Sequence, residues 1–345
     1  MPGTSNTYRA DQVGSFLRSD ELKQARAAHD QGNLPLEQLR EIEDREILRV
    51  LDMQRQVGID VVSDGEFRRG GWASDFQEAV AGYVPGAPPV VLSWHSPSGG
   101  SVVASAPPAG IVSRVIGEKL SQRRRLTAHE SAFLKEHASA PYKMTMPAAT
   151  YVVTRGYKPG VTDKVYPSRV DVLRDAARII GDELAALSAE GVPYLQLDNP
   201  HYPDYISDDR RAEWRALGVD ADVALGDDIA ADNASLAQLD RSRVSVGMHL
   251  CRGNGPMGQW HTAGGYERIG EQVFGGLNVD RFLLEYDSER SGGFEPLRFM
   301  PRGKLVVLGL VTTKSPVLEP QDELLRRIDE ASRYVPVEEL ALSPQ

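Results

Sequence analysis

Apolar positions fall at helical spacing through residues 36–57, at Leu39, Ile42, Ile47, Val50 and Leu51, and Gly58 follows. Residues three or four apart share one helix face, and a glycine past the last turn is a common stop. The stretch therefore predicts an amphipathic helix. A β-rich run, Ile59-Asp60-Val61-Val62, comes next and ends in Ser63-Asp64-Gly65-Glu66. The same phrase returns over residues 170–190, with Leu173, Ile180, Leu184 and Leu187, then Gly191 and Tyr194-Leu195-Gln196-Leu197-Asp198. Helices alternating with short buried runs predict parallel βα units.

Candidate strands fall at about residues 12–16, 60–64, 111–116, 143–146, 194–197, 244–249, 281–285 and 305–310. That number predicts a (β/α)8 TIM barrel, one catalytic domain over residues 1–345. An open doubly wound sheet is the competitor, but no Gly-x-Gly-x-x-Gly follows the first strand to support it. Residues 82–110, rich in Pro, Gly and Ser, predict an insertion or lid.

Composition narrows the class. Thirty-nine basic against 49 acidic residues leave a net charge of −10, which argues against non-specific nucleic-acid binding. Arg123-Arg124-Arg125 reads as a solvated helix face or the seat of an anion. The single cysteine excludes an internal disulfide framework, and the polar N-terminus lacks the apolar centre of a signal peptide. No apolar run approaches the ~20 residues that span a bilayer. A cytoplasmic protein without membrane or nucleic-acid partners is expected.

The cysteine lies in Gly247-Met248-His249-Leu250-Cys251. Strand positions i and i+2 point to one side, so His249 and Cys251 can converge on a soft metal ion; a lone buried cysteine that only packs is the alternative. A barrel gathers its chemistry at the C-terminal strand ends. Those ends carry Ser15, Glu66, Thr145, Asp198, His249 with Cys251, Glu285, and Thr313 with Lys314. Glu285 is either a third metal ligand or a solvated carboxylate. Glu66 and Asp198 either share a cation such as a substrate amine or hydrogen-bond structurally. Gly14-Ser15 offers a backbone amide and a hydroxyl to a carboxylate. His201 is a candidate proton donor or a surface loop histidine, and Trp72 can line the pocket.

Together these residues resemble the catalytic barrel of cobalamin-independent methionine synthase, in its short single-barrel form often described as methionine synthase II. The resemblance rests on Ser63-Asp64-Gly65-Glu66, Gln196-Leu197-Asp198-Asn199-Pro200, His249-Leu250-Cys251-Arg252-Gly253-Asn254 and Leu284-Glu285-Tyr286-Asp287. It implies zinc (Zn2+) on His249, Cys251 and Glu285, and homocysteine held by Ser15, Glu66 and Asp198. Met144-Thr145-Met146-Pro147 falls where the family has a Gly-Pro-Val-Thr segment near the folate, which makes Thr145 a substrate-binding candidate.

The sequence departs from that pattern in three places. The family's second cysteine ligand is missing, and Leu342-Ser343-Pro344-Gln345 resembles the lead-in to it, so a short tail carrying that ligand is expected beyond Gln345, the alternatives being zinc on three ligands or loss of the metal. Where the long synthase has a catalytic histidine after the eighth strand, Val311-Thr312-Thr313-Lys314-Ser315-Pro316 stands, with Lys314 as candidate proton donor or anion binder. The N-terminal barrel of the long synthase has no counterpart, which weakens a polyglutamylated folate as donor. The resemblance implies methyl transfer from 5-methyltetrahydrofolate, or from a methylcorrinoid on a corrinoid protein partner, to homocysteine, giving methionine. The alternatives are a zinc alkyltransferase acting on a thiol cofactor, a metal-free lyase using Lys314, and a non-catalytic ligand-binding barrel.

Overall fold

The chain leaves βα alternation in the predicted insertion, where β1 (Val80–Pro85), β2 (Ser93–His95), β3 (Ser101–Val103) and β4 (Arg114–Gln122) form two antiparallel pairs, β1 with β4 and β2 with β3. The structure is a computed structural model that describes residues 8–86, 93–96, 99–103, 113–216, 218–255 and 258–345. Much of the 82–110 insertion lies outside them.

The remaining strands build a six-stranded parallel sheet: β5 (Lys143–Pro147), β6 (Tyr194–Asp198), β7 (Ser245–Leu250), β8 (Arg281–Glu285), β9 (Leu305–Val311) and β10 (Leu340–Pro344). They lie side by side in sequence order, and every residue of β5 to β8 is buried. Strands covered on both faces are rich in apolar residues, and β8 and β9 read that way, whereas β5 and β6 alternate, with Lys143, Thr145 and Gln196 as buried polar groups. Helices Leu36–Val57 and Arg169–Glu190 end at Gly58 (φ 79°) and Gly191 (φ 90°), left-handed stops as the pattern predicts. No described helix is long and apolar enough to cross a membrane.

At either edge of the sheet the hydrogen bonding continues through single bridges, Ala10 to Leu342 and Val62 to Tyr142. The Asp60 N–H in turn donates to the Ala10 carbonyl at 3.0 Å. The expected strand at 60–64 is therefore reduced to the one bridge at Val62, and the one at 12–16 is not formed, the edge bridge falling just before it at Ala10. Gly14 (φ 118°), Gly65 (φ 70°) and Glu66 (φ 60°) turn the backbone out of extended geometry where those strands would continue.

Two strands differ from the expected set. The run predicted as a sheet strand at 111–116 has its described part, from Ser113 on, in the antiparallel arm with β1; a β-branched run pairs with whichever edge is near. Residues 340–344, not predicted as a strand, form β10, paired in parallel with β9, its Leu340 and Ala341 buried.

Inside the sheet lies a buried ionic cluster. Lys143 Nζ donates to Asp11 Oδ1 at 2.8 Å, to Gln196 Oε1 at 2.7 Å and to the Gln12 carbonyl. Arg281, fully buried, stands 3.6 Å from Asp11 Oδ2, and the Tyr194 hydroxyl donates to the same oxygen at 3.2 Å. Buried charges persist only when paired, and Asp11 pairs here with Lys143 at 2.8 Å and Arg281 at 3.6 Å. Gln196 carries the network onward to the site.

Candidate functional site

Beyond the C-terminal ends of β6 and β7 opens a cavity of about 390 Å³, lined by Ser15, Glu66, Asp198, His201, His249 and Cys251 among others. With Trp72, which also lines it, seven of the residues singled out from sequence thus share one space. Thr145, Glu285 and Lys314 are not in its lining and stand behind it.

On one side Glu66, in its turn of positive φ, is nearly fully buried. Its carboxylate accepts from the Ser15 hydroxyl and from Thr145 Oγ1 at 2.6 Å, with Arg69 at 3.5 Å. Burial raises its pKa, against the pull of Arg69. Arg69 is itself fixed by Glu130 (2.7 Å), Asp75 (3.1 Å) and the Thr145 carbonyl (2.7 Å). The Gly14 α-carbon abuts this group so closely that a Cβ there would lie 2.8 Å from Thr145 Cγ2 and 2.9 Å from Glu66 Oε1. Across the mouth, Asp198 Oδ1 accepts from Gln196 Nε2 at 2.8 Å and from His249 Nδ1 at 2.9 Å.

Those bonds set the histidine. With its Nδ1–H on Asp198, His249 turns a bare Nε2 to the cavity, where Gln345 Nε2 donates to it at 3.0 Å. A carboxylate behind an imidazole is the arrangement that orients metal-binding histidines. Cys251 follows β7, and burial, then the charge of Glu285, pushes its thiol up to about 12. Glu285 is fully buried and accepts from the Arg252 N–H and from Arg290, with Lys314 at 3.3 Å. Lys314 also pairs with Asp287 at 3.1 Å.

Among the described residues no three His, Cys, Asp or Glu side chains are arranged as a metal-ligand set. The chemistry of the pair still suits a thiophilic ion: one bare imidazole nitrogen and one thiol line the same cavity, and a carboxylate acts on that thiol. A cation there would also lower the thiol pKa that burial raises.

The sequence reasoning missed Tyr151, Arg155, Trp94, His261 and Gln345, all of which line the cavity. Tyr151 and Arg155 come from helix Ala149–Gly156, Trp94 from β2, His261 from a loop and Gln345 from just past β10. One signal was available: Asp204 lies three residues after His201 and meets its Nδ1 at 2.5 Å. The rings form a chain around the mouth, Trp72 on Tyr151 (centroids 4.4 Å), Tyr151 on His201 (5.3 Å) and His261 against Trp94 (5.5 Å).

Known proteins match at the level of this whole architecture. Residues 9–345 fit the family model described as cobalamin-independent synthase, catalytic domain. The uncharacterized protein YxjH of Bacillus subtilis is 37% identical over 98% of this chain and 86% of its own length. A methionine synthase of Pyrococcus abyssi is 23% identical, covering 96% of this chain and 83% of its own. Among solved structures, the putative vitamin-B12 independent methionine synthase of Listeria monocytogenes superposes with a TM-score of 0.75 at 27% identity, covering 98% of this chain and 90% of that one. The protein belongs to the cobalamin-independent methionine synthase catalytic-domain family.

Proposed function

We propose that this chain is a single-domain (β/α)8-barrel methyltransferase of the cytoplasm, moving a methyl group from 5-methyltetrahydrofolate or a methylcorrinoid to the thiol of homocysteine. The barrel reading is supported by the hydrogen bonds that run past both sheet edges, through Leu342 to Ala10, Asp60 to Ala10 and Val62 to Tyr142. One observation carries the function: two buried carboxylates, an oriented histidine and a thiol converge on one cavity at the C-terminal strand ends.

Glu66 and Asp198 offer two carboxylates to a substrate ammonium, which replaces the charge repulsion between them with attraction. The Ser15 hydroxyl, which donates to Glu66, would turn with neighbouring amides to the substrate carboxylate. Such a clamp fixes the amino-acid end and leaves the thiol to reach Cys251 and His249. Zinc, held by His249 and Cys251 with Glu285 beside them, would keep the substrate thiol ionised at neutral pH. Holding both reactants in line removes most of the entropy cost of a bimolecular step. Lys314 is bound by Asp287 and Glu285, which favours this reading over a lyase that needs a free lysine amine.

Zinc-loaded protein with its natural C-terminus, given homocysteine and each donor in turn, is expected to release methionine detectable by mass spectrometry. It is expected to hold one zinc per chain, lost in Cys251→Ser. No methionine with either donor would sink the proposal.

A further inference from the structure

A methyl transfer to a thiol releases a proton from the acceptor and, when the donor's leaving atom is an amine nitrogen, needs one there. The charged and polar groups of the cavity are mostly engaged. Glu66 is tied to Ser15, Thr145 and Arg69, His249 is bonded through both ring nitrogens, and Lys314 stands behind the lining on two carboxylates. His201 differs. Its ring is 4% exposed and lines the cavity, yet its Nε2 is buried with no hydrogen-bond partner among the described residues.

The other side of that ring is heavily supported. His201 Nδ1 meets Asp204 Oδ2 at 2.5 Å. Asp204 Oδ1 accepts from the Thr262 hydroxyl at 2.6 Å and lies 3.3 Å from His261 Nδ1, which itself reaches Thr262 Oγ1 at 2.9 Å. Burial would raise Asp204, but the two histidines hold its carboxyl well below the usual carboxylate range. An ionised Asp204 can only accept, so the ring proton sits on Nδ1 and Nε2 is left unprotonated and unpartnered among the described residues, in a ring that lines the cavity, where a small rotation would open it to substrate or water. Burial keeps the imidazole below its ordinary pKa despite Asp204, with His261 and Arg155 adding to the depression and Tyr151 stacked on the ring. Tyr151 and Arg155 come from the helix packed against it, Asp204 from its own turn, His261 from the facing loop.

We propose that His201, oriented by Asp204 and backed by Thr262 and His261, is the proton carrier of the transfer, resting on the methyl-transfer reading above. Its Nε2 takes up the proton the acceptor thiol gives up, directly or through water. The thiolate sulfur then bonds the methyl carbon, and the methyl–nitrogen bond breaks with its electron pair on nitrogen. The Nε2–H protonates that nitrogen and His201 returns to its neutral form. Thiol and methyl amine become thioether and protonated amine nitrogen, with no other reactant. Asp204 is a positioning residue, since it acts through the ring.

The test compares His201→Asn and His201→Gln with wild type, using zinc-loaded full-length protein and two donors. With 5-methyltetrahydrofolate, whose leaving nitrogen needs a proton, kcat is expected to fall about 100-fold or more. The KM for homocysteine is expected to stay within about threefold, because His201 is not in the amino-acid clamp. With methylcobalamin, whose cobalt leaves without a proton, the rate is expected to change by no more than about threefold, because zinc would already ionise the thiol and solvent can take that proton, leaving protonation of the folate nitrogen as the step that needs His201. Imidazole added to His201→Ala is expected to restore part of the folate rate. Independently of turnover, nitrogen-15 spectra of histidine-labelled protein are expected to show a neutral ring protonated at Nδ1, and Asp204→Asn to abolish that preference. Equal losses with both donors, a folate loss under about fivefold, or wild type accepting a methyl group from cobalt alone would overturn the inference. If wild type makes no methionine from either donor, the methyl-transfer reading itself fails, which is a different result.

Discussion

Replacing Lys143 with methionine tests whether the buried ionic cluster holds both the fold and the site. The lysine is fully buried and its Nζ serves three acceptors, Asp11, Gln196 and the Gln12 carbonyl. Methionine keeps most of the apolar stem but leaves Asp11 with only Arg281 at 3.6 Å, Tyr194 at 3.2 Å and its neighbouring amide. Breaking one partner of a buried pair costs about 3–5 kcal/mol, so about 4 kcal/mol is expected, roughly a thousandfold in the folding equilibrium. Against a typical total of about 5–15 kcal/mol this is a large fraction. Urea unfolding followed by tryptophan fluorescence reads it directly. Asp11→Asn combined with Lys143→Met should recover about 1 kcal/mol or more relative to the sum of the single changes, since the orphaned charge is gone. A single-variant loss under about 1 kcal/mol, or strict additivity, would refute the reasoning. Gln196, released from Lys143, also loses the restraint that aims its Nε2 at Asp198, so the surviving protein should bind homocysteine more weakly.

Gly14→Ala puts a methyl group 2.8 Å from Thr145 and 2.9 Å from Glu66 at a φ of +118°; a loss of about 1–3 kcal/mol and weaker homocysteine binding are expected, and wild-type Tm with wild-type KM would contradict the packing argument. His129, pushed down from 6.5 to about 4 by burial, is neutral in the folded chain while its unfolded counterpart takes up a proton below about pH 6.5. Stability should therefore decline as pH falls from 6.5 toward 4, and His129→Gln should flatten that decline in urea titrations; an unchanged slope would count against it. In metal-free protein the Cys251 thiol, up at about 12, should react with iodoacetamide at pH 8 at least about 100-fold more slowly than free cysteine, and comparable rates would show that the sulfur is not in the buried setting described.

Five sheet strands, β5 to β9, were legible: β8 and β9 as largely apolar runs left by burial on both faces, β5 and β6 by alternation in which Lys143, Thr145 and Gln196 are buried polar groups between apolar neighbours. β10 was not, because Leu-Ala-Leu-Ser-Pro is short, ends in proline and was read through the family's missing ligand. Val115 and Ile116 have strand character that says nothing about the partner, and they pair in the antiparallel arm. At the site, residues that point into the cavity from strand ends, such as Asp198 and His249, follow from order along the chain. Partnership does not. Lys314 was expected at the mouth, but Asp287 and Glu285, from the neighbouring strand end, hold its amine behind the lining. Asp204, Thr262 and His261 meet only because two loops fold together.

The central claim is that the cavity recognises an amino-acid thiol through Glu66 and Asp198. Titration calorimetry of zinc-loaded protein with homocysteine and with 4-mercaptobutanoate, which lacks only the amine, tests it most directly. A charged hydrogen bond contributes about 1.5–3 kcal/mol, so homocysteine should bind at least about tenfold more tightly, and Glu66→Gln should erase most of that preference. Equal affinity for the two thiols, or a preference that survives in Glu66→Gln and Asp198→Asn, would contradict the account.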